Sequence, residues 1–347
     1  MKVLFWGTPT YAVATLDALN DSGYEVVGVV SQPDRRRGRG NQQIASPVKQ
    51  RALEQGLRVF TPERIRNDAI VQAELASLKA DISVVVAFGQ ILPSTVLKQP
   101  PLGCWNGHAS LLPRWRGAGP IQWSLLSGDN VTGVGIMAME EGLDTGPVLV
   151  HERVSIGLLE NASQLANRLS SITANLFLES MPRIAAAGTG VESERWKQLE
   201  VIKQEELGGE PTYAQMLSKK DHILDWNQSA MDLHRRVMGL YPNALSSWNN
   251  KRLKVQATEP LDEELKSKLS EKARQLLGRW QDGKHAPGKI LACESDLGLV
   301  VSTKTCPLLI RQGQLEGKSK ANGQVLIQQL QASVGQYLGV GGNMAAE

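Results

Sequence analysis

Apolar positions in the first half of the chain alternate between two rhythms. The run KVLFW (2–6) is of the strand type, and after the turn GTPT the stretch YAVATLDALNDSG repeats its apolar residues at helical spacing as far as Gly23. YEVVGVVS is a second apolar strand. A helix is predicted over 47–55 and another over VQAELASLKAD, while ISVVVAFG has the unbroken apolar character of a strand covered on both faces. VTGVGIMAM reads as a further strand, and ASQLANRLSSITANLFLESMPRIAAAG as a long helix that Gly188 stops. This alternation predicts an α/β fold over residues 1–190, an open, mostly parallel, doubly wound Rossmann-like sheet.

The rhythm changes beyond about residue 205. QEELGGEPTY is polar and rich in Gly and Pro, so residues 191–210 are expected to be a linker. Short alternating runs then follow, RLKVQA, GKILACE, LGLVVST and PLLIRQGQL, at the turn spacing of a small β-barrel. The expected second domain is a C-terminal β-barrel over 211–335, with a flexible tail over 336–347. Inside it, LDEELKSKLSEKARQLLGRW places Leu261, Leu265, Leu269, Ala273 and Leu276 on one helical face, which predicts a helical insertion near 261–280.

Composition narrows the classes. A chain of 347 residues, 41% hydrophobic, is long enough for two cores. It has no apolar run long enough for a membrane span, and MKVLFWGTP enters a strand pattern with neither a charged leader nor a cleavage site, so a cytoplasmic protein is expected. Cys104, Cys293 and Cys306 show no CxxC pairing and no histidine at ligand spacing, which predicts free thiols and no metal site. The net charge of +3 is small, so an anionic partner has to be met by a local patch such as RRRGRG at 35–40.

Ligands of open α/β sheets sit beyond the carboxyl ends of the strands, where GTPTYA, FGQILP and GLDTGP are the candidate loops. GTPT lacks the GxGxxG spacing and no GxxxxGK[ST] occurs, which argues against dinucleotide and P-loop chemistry. Asn106 and His108 lie two apart and project from one face of an extended strand end. Together they suit a carbonyl oxygen that becomes negative during attack. Asp144, between glycines, is a carboxylate available to orient His108 or to take a proton. Ser110 lacks a nucleophile elbow and Cys104 has no base beside it, so direct transfer between two substrates is favoured over a covalent intermediate. Each residue also has a structural reading: a satisfied histidine, an Asx turn at Asp144, a turn hydroxyl at Ser110, loop-holding charges at Arg114 and Arg116, a solvated arginine loop. Their co-occurrence at one sheet edge favours a site.

NGHASLLPRWRGAGPIQ, followed by GDNVTGVGIMAMEEGLDTGPVL, resembles the signature of the formyltransferases that use 10-formyltetrahydrofolate. SQPDRRRGRGNQQIASPVK, TYAQMLSKKDHILDW and GKSKANGQVLIQ are similar to the branch of that family acting on methionyl-tRNA, so the likeness covers nearly the whole chain. The resemblance implies a Rossmann-like catalytic domain followed by an OB-like β-barrel. It implies Asn106, His108 and Asp144 as the catalytic group, Ser110, Leu111, Leu112 and Pro113 as the folate-binding step, and Arg39 with its neighbours Arg35, Arg36 and Arg37 as tRNA contacts. The implied partners are methionyl initiator tRNA and the folate cosubstrate, with no metal and no membrane, and the chain is expected to act as a monomer. Three features depart from the family pattern: Gly107, where a β-branched residue is usual and which is expected to loosen the backbone, the turn YPNALSSW, and the 261–280 insertion. A formyltransferase acting on a ribonucleotide or an amino sugar, and a non-catalytic RNA-binding module, are the rival readings.

Overall fold

Seven strands build the first sheet of the computed structural model, which describes residues 1–37, 42–280 and 285–339. They are β1 (Lys2–Gly7), β2 (Glu25–Val30), β3 (Val59–Phe60), β4 (Ile82–Val86), β5 (Cys104–His108), β6 (Val131–Ala138) and β7 (Val148–Ser155). Their order is β7-β6-β5-β4-β1-β2-β3. The pairs β1/β2, β1/β4, β2/β3 and β4/β5 are parallel, and β6 runs antiparallel to β5. The strand order reverses between β1 and β4, which is where open α/β sheets leave a crevice. There the Thr8 hydroxyl donates to the Phe88 carbonyl at 2.8 Å and ties the two strand ends together.

The sequence accounts for most of these elements. All five residues of β4 are buried, as its unbroken apolar run requires. Helix α1 (Thr10–Asp21) ends just before Gly23; α2 (Pro47–Glu54) starts at Ser46, whose hydroxyl accepts from Lys49 N; α3 (Ala69–Ser77) starts at Asp68 in the same way. The long helix α4 (Ala162–Ala186) gives out before Gly188, which sits at φ +68°. The strand β7 left no such signal, because His151, Glu152 and Arg153 are exposed at an edge position.

The second sheet is antiparallel throughout. Its strands are β8 (Ala244–Trp248), β9 (Lys251–Pro260), β10 (Ile290–Glu294), β11 (Gly298–Val301), β12 (Leu308–Leu315) and β13 (Ala321–Asn322), in the order β8-β9-β12-β11-β10 with β13 on β12. Helices α5 (Ala230–Gly239) and α6 (Gly323–Leu330) contribute Leu233, Val237 and Leu326 to the core that Val255, Leu299 and Ile310 fill from the sheet. Two compact units result. The first comprises Met1–Pro120, Val131–Val154 and Ala166–Gln215; the second comprises Ile121–Asn130, Ser155–Leu165 and Met216–Glu347. Ser155–Leu165 joins the second unit because Leu158 packs on the cluster of Leu269, Leu276 and Leu309.

The 261–280 segment buries the expected apolar face, with Leu261, Leu269, Ala273 and Leu276 all inside, but it is not one helix. A 3₁₀ stretch over Glu263–Lys268 breaks at Leu269, and a new turn of helix, Glu271–Arg274, starts from Ser270. Two local bonds explain the break. The Ser270 hydroxyl caps Ala273 N, and the buried Glu259 carboxylate accepts from both Ser270 N and Ser270 Oγ at 2.8 Å. The tail expected over 336–347 lies outside the described residues from 340 onward.

His234 on α5 is buried, with Nδ1 2.9 Å from Thr258 Oγ1 and Nε2 donating to the Leu158 carbonyl at 2.8 Å. Burial lowers its pKa from 6.5 to about 4, against the raising influence of the Leu158 bond and of Glu259. The native state therefore stays neutral where the unfolded chain takes up a proton. The stability that this group confers is complete above pH 6.5 and declines as the pH falls towards 4, by about 3 kcal/mol over that window. His234→Gln is expected to be less stable than the native chain at pH 7.5, with the gap narrowing by about that amount at pH 4. Urea denaturation of both proteins at the two pH values checks this; a gap independent of pH contradicts it.

Candidate active site

The site begins at the carboxyl end of β5, which lies between β4 and β6. Asn106 stands opposite Met137 and His108 opposite Gly135, so the two polar side chains share one face as their spacing predicts. Gly107 faces the other way, towards α4. A Cβ there would lie 2.5 Å from Thr173 Cγ2 and 2.9 Å from Phe177 Cε2. Gly107 therefore admits the helix against the strand between Asn106 and His108, and the expectation that it loosens the backbone is replaced by one of close packing.

His108 is only 5% exposed and its Nε2 lies 2.9 Å from the Trp115 carbonyl. A carbonyl only accepts, so Nε2 carries a proton, and Nδ1 faces Asp144 Oδ2, 3.7 Å away. Asp144 also accepts from Gly117 N at 2.7 Å and, through Oδ1, from Asn106 Nδ2 at a long 3.4 Å. The amide of Asn106, the imidazole and the carboxylate thus converge at the end of one strand. The backbone carbonyl of Trp115 holds a proton on Nε2, and the carboxylate faces Nδ1.

Two of these groups sit on strained backbone. Trp115 has φ +62° and Asp144 φ +53°, left-handed conformations that cost a non-glycine residue about 1–3 kcal/mol unless the surroundings fix them. The fixing comes from residues 202–214. Ile202 bridges to Val148; Thr212 Oγ1 accepts from Trp115 N at 2.9 Å; Tyr213–Ala214 pairs in parallel with Arg116–Gly117. Gln204, 3% exposed, donates from Nε2 to the carbonyls of Asp144 and Gly146, both at 2.8 Å, and accepts on Oε1 from Arg116 Nε and Nη2 at 3.0 and 2.8 Å. Arg116 is thereby placed inside the loop framework, and Arg114 lies over the Trp115 ring at 4.4 Å. Trp115, Gly117 and Gln204 are the site members that the sequence did not single out: two act through backbone atoms, and the third lies in a stretch whose composition is that of a linker.

The remaining sequence candidates divide. Ser110 is fully buried and its hydroxyl donates to the Arg114 carbonyl at 2.6 Å, while Leu112 packs with Met137 and Val148. Pro113 is buried and Leu111 half-buried, so Leu111 is the side chain of that step nearest the surface. Arg35–Arg37 pairs antiparallel with Gln42–Ile44, and Arg35 Nη2 reaches Gln32 Oε1 at 3.5 Å; Arg39 lies outside the described residues. Cys104, Cys293 and Cys306 are free, and burial pushes the Cys104 thiol up to about 12. Among the described residues, no group of three or more His, Cys, Asp and Glu side chains is placed to hold a metal ion.

The family model described as formyl transferase matches residues 1–181, and the one described as formyl transferase, C-terminal domain matches residues 216–331. The chain belongs to the formyl transferase family. A methionyl-tRNA formyltransferase of Prochlorococcus marinus (strain MIT 9303) is 89% identical over 338 residues, spanning 97% of this chain and 99% of the relative. One from Synechococcus sp. (strain WH7803) is 64% identical over 98% of this chain and 99% of its own length. The solved structure of an N-formyltransferase from Helicobacter canadensis, in complex with folinic acid and dTDP-3-aminofucose, shares the fold at a TM-score of 0.59 and 16% identity, over 89% of this chain and 98% of that one. Both halves of this formyl transferase are thus matched by family models, and the Rossmann-like sheet followed by an antiparallel C-terminal domain is the family arrangement.

Proposed function

We propose that Asn106, His108 and Asp144 carry the transfer of a formyl group to the α-amine of methionine on initiator tRNA, yielding N-formylmethionyl-tRNA. The formyl donor is 10-formyltetrahydrofolate, bound as a cosubstrate. The observation that carries the site assignment is the convergence of these three groups at one strand end, with Asp144 Oδ 3.4 Å from the amide and 3.7 Å from the imidazole. The neutral amine attacks the formyl carbon; a new C–N bond forms and the bond to N10 of the folate breaks. Asn106 Nδ2 donates to the oxygen that becomes negative, a contribution of about 2.7–4 kcal/mol for one such donor. His108 Nδ1 takes the proton that the amine loses and returns it to the departing N10. Asp144 stabilises the imidazolium that forms between those steps, while the Trp115 carbonyl keeps Nε2–H turned away from the reaction.

Ser110, Leu111, Leu112 and Pro113 frame the folate in this reading, with Leu111 and the backbone in contact and Ser110 and Leu112 holding the turn. The arginines Arg35, Arg36, Arg37 and Arg39 meet tRNA phosphates, which would make binding weaken steeply with salt. The enzyme is read as a cytoplasmic monomer. Among the described residues, no helix is long and apolar enough to cross a membrane.

The test is an acceptor panel with 10-formyltetrahydrofolate as donor: Met-charged initiator tRNA, Met-charged elongator tRNA, glycinamide ribonucleotide and a nucleotide-linked amino sugar. Formylation confined to the initiator species is expected. Preferred formylation of the ribonucleotide or the sugar overturns the acceptor assignment.

A further inference from the structure

The structure assigns Gln204 as a positioning residue of the formyl-transfer site, through which the segment between the two family domains becomes part of the catalytic framework. The inference rests on the reading of Asn106, His108 and Asp144 as the catalytic group. Gln204 lies beyond residue 181, where the first family match ends, and before residue 216, where the second begins. Its composition context is polar and glycine-rich, yet its side chain is 3% exposed.

The argument is one of bond count and geometry. The amide nitrogen donates both its hydrogens, one to the carbonyl of Asp144 and one to that of Gly146, each at 2.8 Å. The amide oxygen receives the Arg116 guanidinium in a two-pronged contact at 3.0 and 2.8 Å. Arg116 precedes Gly117, whose N–H holds Asp144 Oδ2 at 2.7 Å, and follows Trp115, whose carbonyl holds His108 Nε2 at 2.9 Å. One buried amide therefore links the two loops that carry the carboxylate and the histidine anchor. Both loops contain a non-glycine residue held at positive φ, a conformation that persists only where neighbours determine it. Thr212 and Ala214, ten residues or fewer beyond Gln204, bond the same loop through Trp115 N and Ala118 N. No substrate is contacted in this role. The amide sets the distance between Asp144 and His108, and displacements of about 1 Å at a reacting group reach 10²-fold in rate.

Gln204→Glu separates this role from a purely structural one. The carboxylate keeps the size of the side chain and the contact with Arg116 but cannot donate to the Asp144 and Gly146 carbonyls. In the full-length protein, kcat for formylation of Met-charged initiator tRNA is expected to fall by about 10- to 100-fold, with KM for donor and acceptor changed less than threefold. Gln204→Leu, which lacks both functions, should lose at least as much. In the Asp144→Asn background, Gln204→Glu should cost almost nothing further, because the group it positions is already lost. Thermal unfolding of each variant reports the folded fraction, so rates are compared per folded molecule.

Three results overturn the proposal: near-native kcat per folded molecule in Gln204→Glu, a loss confined to KM, or a loss that multiplies with that of Asp144→Asn. If Asp144→Asn itself keeps native turnover, the catalytic reading falls with it; if Asp144→Asn is impaired and Gln204→Glu is not, only the positioning role falls.

Discussion

Asp144→Asn is expected to lower the turnover of formyl transfer by about 10²- to 10⁴-fold while folate binding changes little. The substitution preserves the shape of a side chain that is 14% exposed and whose Oδ2 accepts from Gly117 N at 2.7 Å. It removes the negative charge that faces His108 Nδ1. With a proton held on Nε2 by the Trp115 carbonyl, the proposed base is Nδ1, and in that proposal the imidazolium formed on accepting the amine proton has Asp144 as its counter-charge. An asparagine there has lost the charge and can also turn an N–H towards the Nδ1 lone pair, occupying it. The loss should therefore appear in kcat with KM for donor and acceptor nearly unchanged. Steady-state kinetics together with equilibrium titration of the folate checks this. Native turnover in the variant contradicts the role given to the carboxylate.

Gly107→Val should destabilise the first unit by about 3 kcal/mol, the upper range for overpacking a closed core. The reason is the approach of α4. Thr173 Cγ2 and Phe177 Cε2 lie 2.5 and 2.9 Å from where a Cβ would stand, and both side chains are fully buried. Neither yields easily, since Thr173 is β-branched and its hydroxyl lies 2.6 Å from that of Tyr11. Thr173→Ser removes the methyl group in conflict and keeps that hydroxyl, so it should recover part of the loss. Urea denaturation of the single and double variants measures both effects. A Gly107→Val protein as stable as the native chain would mean that strand and helix separate without cost at this position. A β-branched residue at this site thus calls for a compensating change on the facing helix.

The same residues show what the sequence made legible. Asn106 and His108 were readable as a pair because strand parity alone puts them on one face. The buried strand β4 was readable because an unbroken apolar run suits few other environments. The edge strand β7 was not, since its exposed charged positions carry no alternation. The apolar face of 261–280 was visible, but the break at Leu269 depends on Glu259, a residue outside the segment that captures Ser270. Gly107 was misread because a glycine in sequence signals freedom, whereas its use here is closeness to helix residues, Thr173 and Phe177, more than sixty positions away. Gln204 had no local signal at all. The role proposed for it depends on three distant carbonyl and guanidinium partners, and composition placed it in a linker.

His108→Ala, followed in single turnover with saturating 10-formyltetrahydrofolate and Met-charged initiator tRNA, tests the central claim most directly. Formyl transfer is predicted to slow by about 10²-fold or more, with folate affinity within threefold of the native value. Transfer at the native rate by the His108→Ala protein would contradict the assignment of the reaction to this strand end.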